Sequence, residues 1–339
     1  MLKVGLIGNG AIAAVHLSAY KRFYEAGEIE VVAVCDVCPE RLEKEYLSCF
    51  ADARTYTDVN EMLQAEQGQL DFVDICVPTF LHSEVAIKAM EAGFDVMSEK
   101  PMARTVAQAE EMIAASKRTG KRLMIAYCNR FYSGAKEIKR LIEEKPYGRA
   151  VSAYFRREGG DGKIFPFGWN NWFYDAELSG GALLDLHIHD VDMIRMMFGM
   201  PKAVSTTAAS YLTKGGYDLL STNFMFEDGL FVNATCDWFT SANRHDTRVI
   251  RVNFDDGYVH LDRSPDRNVF MAVSRDGVET DLSDKIAFDS YYEEIKYFAS
   301  LIREGRELDY NFPEESIDSV KIVMAEMESA DNDGARVAL

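Results

Sequence analysis

Gly8-Asn9-Gly10-Ala11-Ile12-Ala13 follows directly on the short apolar run 2–7 and opens a segment of helical period. In that setting the first glycine permits a tight turn and the second lets backbone N–H groups approach a pyrophosphate. The small third residue lets helix pack on strand. The anion is then held by the helix N-terminus, whose unpaired N–H groups and dipole supply positive potential without a basic side chain. The next β run, IEVVAVCD, ends in Asp36. A carboxylate there would hydrogen-bond the adenosine ribose hydroxyls and repel a 2′-phosphate, which favours NAD; Arg41 keeps NADP open. Gly8, Asn9, Gly10, Ala11, Ile12 and Asp36 are the first candidate cofactor contacts.

Two more turns end apolar β runs. DFVDICV leads into Pro78-Thr79 and a helix beginning near His82, and FDVMS leads into Glu99-Lys100-Pro101. Both belong at the carboxyl edge of a parallel sheet, where doubly wound folds bind ligands. Pro78, Thr79, His82, Glu99 and Lys100 therefore join the candidate cofactor contacts. Taken alone, Lys100 reads as a surface ion pair more readily than as a catalyst.

Farther along, Ser179-Gly180-Gly181 and Gly199 with Pro201 delimit one helix over ALLDLHIHDVDMIRMMF. At about 100° per residue, Asp185, His189 and Asp192 fall within roughly 60° of one another. The rest of the helix is largely Leu, Ile, Val and Met, so it should be buried, and buried ionisable groups need partners or a polar cavity. A functional cavity is the favoured reading. His187 points roughly opposite Asp185, so the H-x-H is a poor chelate and no metal is expected. The aromatic run 165–174 could stack on sugar C–H faces or plug the core, and both readings stay open. Cys35 and Cys38 form a C-x-x-C that ends a strand without a second pair, which argues against redox or zinc chemistry.

The elements that must position these residues change character along the chain. Through 1–127, β runs alternate with helical segments, among them 11–26 and 40–50, the pattern of a doubly wound parallel sheet. From about 150, β runs follow one another across turns such as Glu227-Asp228-Gly229 and Asp255-Asp256-Gly257, the pattern of a large, mostly antiparallel sheet. Helical period returns at 288–304 and 314–329. The expected division is 1–127 for the cofactor and 128–339 for substrate and assembly. Lys plus Arg number 37 against 55 Asp plus Glu, a net charge of −18 that disfavours nucleic acid and anionic lipid as partners. Six scattered cysteines in mainly apolar runs, with neither a convincing leader nor a long apolar stretch, lead us to expect a reduced, cytoplasmic protein.

Taken in order, GNGAIAAVH, Asp36, PTFLH, EAGFDVMSEKP, YCNRF, SGGALLDLHIHDVD and the closing SADNDGARVAL resemble the Gfo/Idh/MocA oxidoreductases, the family of glucose-fructose oxidoreductase and the inositol dehydrogenases. The resemblance implies an N-terminal Rossmann domain and a C-terminal α/β domain whose open sheet often serves oligomerisation, hence a homodimer or homotetramer. It places the family's Glu-Lys-Pro lysine on Lys100 and its helix Asp and His on Asp185 and His189. These become the candidate catalytic residues: His189 as base, Lys100 as donor to the reacting oxygen, Asp185 as orienting group. Arg130, Trp172 and His187 are candidate substrate contacts; many members carry glycine where His187 stands. The expected reaction is hydride transfer between a secondary alcohol of a sugar, cyclitol or related polyol and NAD(P). A non-catalytic NAD- or sugar-sensing protein, and an enzyme that cleaves or epimerises a glycoside by transient oxidation, are the alternatives.

Overall fold

The apolar runs of the first third become six strands: β1 (Leu2–Ile7), β2 (Ile29–Cys35), β3 (Arg54–Tyr56), β4 (Phe72–Ile75), β5 (Asp95–Glu99) and β6 (Leu123–Ala126). They are taken from a computed structural model that describes residues 1–160, 169–240, 247–264, 266–287 and 289–339. All pairings are parallel and the order is β3-β2-β1-β4-β5-β6, so the connections change direction between β1 and β4. β4 is buried along its whole length, as expected of a central parallel strand covered on both faces. The helix Val106–Thr119 shows how local sequence sets the boundaries: the Thr105 hydroxyl accepts Gln108 N–H at 3.2 Å, and Gly120 ends it at φ +67°. The helix expected over 40–50 is instead three short 3₁₀ turns, Pro39–Leu42, Lys44–Tyr46 and Ser48–Phe50. Apolar side chains there are too sparse to hold a longer helix against the sheet.

By contacts the chain falls into two units. One contains Met1–Cys128 and Tyr291–Ile317; the other contains the chain from Asn129, with Asn170–Ser290 and Asp318–Leu339. The segment 291–317 thus packs with the cofactor half, whereas the sequence reading gave everything after 127 to the second domain. Its helix Ser290–Glu304 stacks Tyr292 on Phe23, centroids 4.2 Å apart, and meets Phe72 edge-on with Phe298 at 5.3 Å. Such pairings lie far apart in sequence, and helical period alone does not reveal them.

The second unit carries nine strands: β7 (Ala150–Gly160), β8 (Ala203–Ala209), β9 (Leu219–Met225), β10 (Phe231–Thr240), β11 (Thr247–Phe254), β12 (Gly257–Ser264), β13 (Arg267–Ser274), β14 (Glu279–Asp281) and β15 (Val337–Ala338). Their order is β14-β13-β12-β11-β7-β10-β9-β8-β15. β7 and β10 pair in parallel, and the other described pairings are antiparallel. No described helix is long and apolar enough to cross a membrane.

One carboxylate ties the loop before β9 to the sheet. Fully buried Asp218 accepts the backbone N–H groups of Tyr211, Leu212 and Thr213, the Thr213 hydroxyl and the Trp238 indole N–H. Burial alone would raise its pKa, but these donors, led by Thr213, outweigh burial and lower it. The stabilisation is therefore present above the unfolded value of about 3.9 and lost as pH falls through the lower native value. Asp218→Asn is expected to cost about 2 kcal/mol by urea unfolding at neutral pH, a gap that narrows below about pH 4.

Candidate functional site

In the first unit the turn after β1 is shaped for an anion. Gly8 sits at φ +90°, and a Cβ there would lie 2.6 Å from the Cys76 carbonyl oxygen, so only glycine lets the turn close against the end of β4. Gly10 caps the helix Ala11–Glu25 without a side-chain hydrogen bond, and no acidic residue occupies its first turn. Gly10 brings no side chain to cap the amide end of that helix, which suits a pyrophosphate. Ala11 is exposed and Ile12 half-buried beside it.

Asp36 does more than the sequence suggests. One carboxylate oxygen accepts Asn9 N–H at 2.7 Å and the other accepts Cys38 N–H at 2.8 Å, while the Asn9 side-chain amide donates to the Arg41 carbonyl at 2.6 Å. The carboxylate stitches the glycine turn to the end of β2 and keeps lone pairs for ribose hydroxyls. Asn9 therefore serves the turn through both of its amide groups. These residues fit a dinucleotide.

Two of the expected cofactor contacts face inward instead. His82 is 2% exposed, with Nδ1 2.7 Å from the Pro101 carbonyl and Nε2 2.9 Å from the Val77 carbonyl. The ring stands as a strut between the turns after β4 and β5, and burial lowers its pKa against the pull of the two carbonyls. Glu99 commits one oxygen to His16 Nε2 at 3.0 Å and the other to the backbone N–H of Lys100 at 3.0 Å. Pro78 and Lys100 are half-buried at these turns and Thr79 is buried. Sequence reasoning missed His16, although it stands within GNGAIAAVH.

In the second unit, the expected uniform helix is a helical run over 181–198 with a π-helical segment, Leu183–His187, ahead of the α-helix Ile188–Phe198. Such insertions occur often at functional sites. Asp185 lies within the π segment and is half-buried, and His189 follows at 9% exposure. The Gly180-Gly181 entrance is tight: a Cβ on Gly180 would lie 2.5 Å from Leu184 Cβ, at a φ of +84°.

The structure separates this pair from the other polar residues of the run. Asp192 is fully buried and accepts a bidentate pair from Arg130, Nε to Oδ2 and Nη2 to Oδ1 both at 2.7 Å, and Ser319 donates to Oδ1 at 2.9 Å. Arg157 grips Asp190 in the same manner at 2.9 and 2.8 Å. His187 is fully buried, its Nε2 2.9 Å from Glu326 Oε1. Arg130 and His187, expected on the substrate, are thus internal partners of Asp192 and Glu326. Of the aromatic run, 165–168 lie outside the described residues; half-buried Trp172 meets Phe173 edge-on at 5.5 Å, and Phe173 packs 5.0 Å from Trp238.

Among curated proteins the chain is 31% identical to levoglucosan dehydrogenase of Pseudarthrobacter phenanthrenivorans over 65% of this chain and 58% of that protein. It spans less than two thirds of that relative's length. It is 27% identical to scyllo-inositol 2-dehydrogenase (NADP(+)) IolU of Bacillus subtilis, over 95% of both. Among solved structures, levoglucosan dehydrogenase in complex with NADH and levoglucosan shares the fold, with a TM-score of 0.84 at 22% identity over 99% of both chains. The profile of an oxidoreductase family with an NAD-binding Rossmann fold, Gfo/Idh/MocA, matches residues 2–127, and the C-terminal domain profile of the same family matches 135–260. The chain therefore belongs to the Gfo/Idh/MocA oxidoreductase family.

Proposed function

We propose that the protein is an NAD-linked dehydrogenase that oxidises a secondary alcohol of a sugar, cyclitol or related polyol. The observation that carries this reading is the glycine turn: a helix amide end without a side-chain cap, with Asp36 buried beside it. The relatives named for levoglucosan and scyllo-inositol support the substrate class.

A bound nicotinamide supplies the carbon that accepts hydride. The residues of the chain have the remaining tasks. His189 takes the hydroxyl proton, as a histidine base does near neutrality. Lys100, at the carboxyl end of β5, donates to the reacting oxygen and stabilises developing alkoxide. Asp185 accepts hydrogen bonds from substrate hydroxyls, and Trp172 offers an apolar face to the ring C–H groups. Homodimer or homotetramer formation through the large sheet, and a cytoplasmic location, complete the proposal.

The test is a panel of cyclitols, aldoses, anhydrosugars and sugar acids, each with NAD and NADP, followed by nicotinamide absorbance. Reduced cofactor is expected with at least one polyol. Clear NADH binding with no turnover across the panel would refute the dehydrogenase reading.

Asp36 also sets a cofactor prediction. A 2′-phosphate beside its carboxylate meets like-charge repulsion, while Arg41 lies near the same turn: its Nη1 would sit 3.2 Å from a Cβ on Gly10. Asp36→Ser is expected to raise the NADP-to-NAD ratio of kcat/KM by about 10–100-fold. Both cofactors should also lose some affinity, because the Asn9 and Cys38 amides lose their acceptor. An unchanged ratio would remove Asp36 as the discriminating group.

A further inference from the structure

Behind the turn that carries Lys100, the first unit buries a group of ionisable side chains. His16, on the helix Ala11–Glu25, is fully buried with Nδ1 2.7 Å from Asp74 Oδ2 and Nε2 3.0 Å from Glu99 Oε1. Tyr20, one turn later, donates its hydroxyl to the same Asp74 oxygen at 2.9 Å. Glu99 Oε2 accepts the Lys100 backbone N–H. From the helix Ser290–Glu304, Glu294 faces the group at 0% exposure, and neither of its carboxyl oxygens has a hydrogen-bond partner among the described residues. Cys76 Sγ lies 3.7 Å from His16 Nδ1, and the Tyr291 ring packs 5.7 Å from the imidazole.

The proton count follows from this geometry. Two carboxylates bracket one imidazole, and serving both requires a hydrogen on each ring nitrogen, hence imidazolium. Burial alone would lower the His16 pKa, but Asp74, with Cys76, outweighs it and raises the value well above the ordinary one. No hydrogen-bond donor reaches Glu294 among the described residues: burial and then the Glu99 carboxylate, working against His16, push its pKa well up, so it stays a neutral acid. Burial and Asp74 raise both Tyr20 and Cys76, the thiol to about 12, and the Cys128 thiol and burial raise Tyr291; these three stay protonated.

We propose that His16 and Glu99 are positioning residues for Lys100, with neutral Glu294 as the wall that leaves the imidazolium to Asp74 and Glu99. A carboxylate next to a lysine in sequence is a ready ion-pair partner for its ammonium. Tying both Glu99 oxygens to His16 and to the main chain turns that carboxylate inward and fixes the Lys100 backbone. The backbone that carries the ammonium is then fixed at the end of β5, and this inference rests on the role given to Lys100 above.

The experiment uses the full-length protein with its lysines ¹³C-dimethylated and the Lys100 signal identified by its loss in Lys100→Arg. His16→Asn can still reach Asp74 but not Glu99. The Lys100 resonance is expected to shift and broaden in His16→Asn. The kcat should fall by roughly tenfold to 10²-fold while the NADH Kd stays within about twofold. A folded His16→Asn protein with an unmoved Lys100 resonance overturns the proposal. Should that variant not fold, Glu99→Gln decides by the same resonance. Glu294→Gln mimics the neutral acid and is expected to keep the ¹⁵N imidazolium signal of His16; a displaced signal overturns the neutral wall. A wild type that oxidises no alcohol refutes the dehydrogenase reading, and the Lys100 resonance still decides the positioning.

Discussion

Lys100→Met is expected to lower kcat for polyol oxidation by roughly 10²–10³-fold, with NADH affinity held within about twofold of wild type. The size follows from removing a single donor to an oxygen that gains charge only in the transition state. The fold should survive, because the backbone N–H that ties this residue to Glu99 is kept by methionine. Cofactor fluorescence titration measures the binding and steady-state kinetics the turnover. A comparable loss of NADH affinity would place Lys100 chiefly on the cofactor. His189→Ala should behave alike, losing about 10²–10⁴-fold in kcat, and near-normal turnover would remove it as base.

Arg130→Met is expected to destabilise the second unit by about 3–5 kcal/mol. Methionine fills much of the volume but leaves Asp192 with the Ser319 hydroxyl and no cation in a site of 0% exposure. Arg130→Met with Asp192→Leu removes both charges and should recover most of the loss, since a buried pair roughly balances its own desolvation. Urea unfolding of the singles and the double, followed by Trp172 and Trp238 fluorescence, gives the coupling. A stable Arg130→Met protein with a raised substrate KM would return Arg130 to the substrate, as the sequence alone suggested.

What the sequence made legible was local. Strand-helix alternation, the glycine turn and Asp36 lie within the first 36 residues of one βαβ unit, where period and turn chemistry act at short range. The second sheet was legible from its turn-separated strands. The π segment at Leu183–His187 was not, because one extra residue per turn leaves the composition of an apolar helix unchanged. Nor were the partners of Asp190, Asp192 and His187, since Arg157, Arg130 and Glu326 lie 33, 62 and 139 residues away. An acid in an apolar helix signals that a partner exists without saying which. Glu294 was hidden for the same reason, on a helix whose pattern shows an apolar stripe but not the unit it covers.

The chain order of the first unit bears on how the protein is made. Met1–Cys128 leave the ribosome early, but Tyr291–Ile317 emerge only after Asn129–Ser290 have been synthesised. At about 5–20 residues per second that interval is on the order of ten seconds. During it, Phe23 and Phe72 wait without Tyr292 and Phe298 to cover them, and the His16 cluster waits without Glu294. This unit is begun before Asn129–Ser290 but cannot be completed until Tyr291–Ile317 have been made, so the nascent protein carries an exposed apolar face that chaperones are suited to shield.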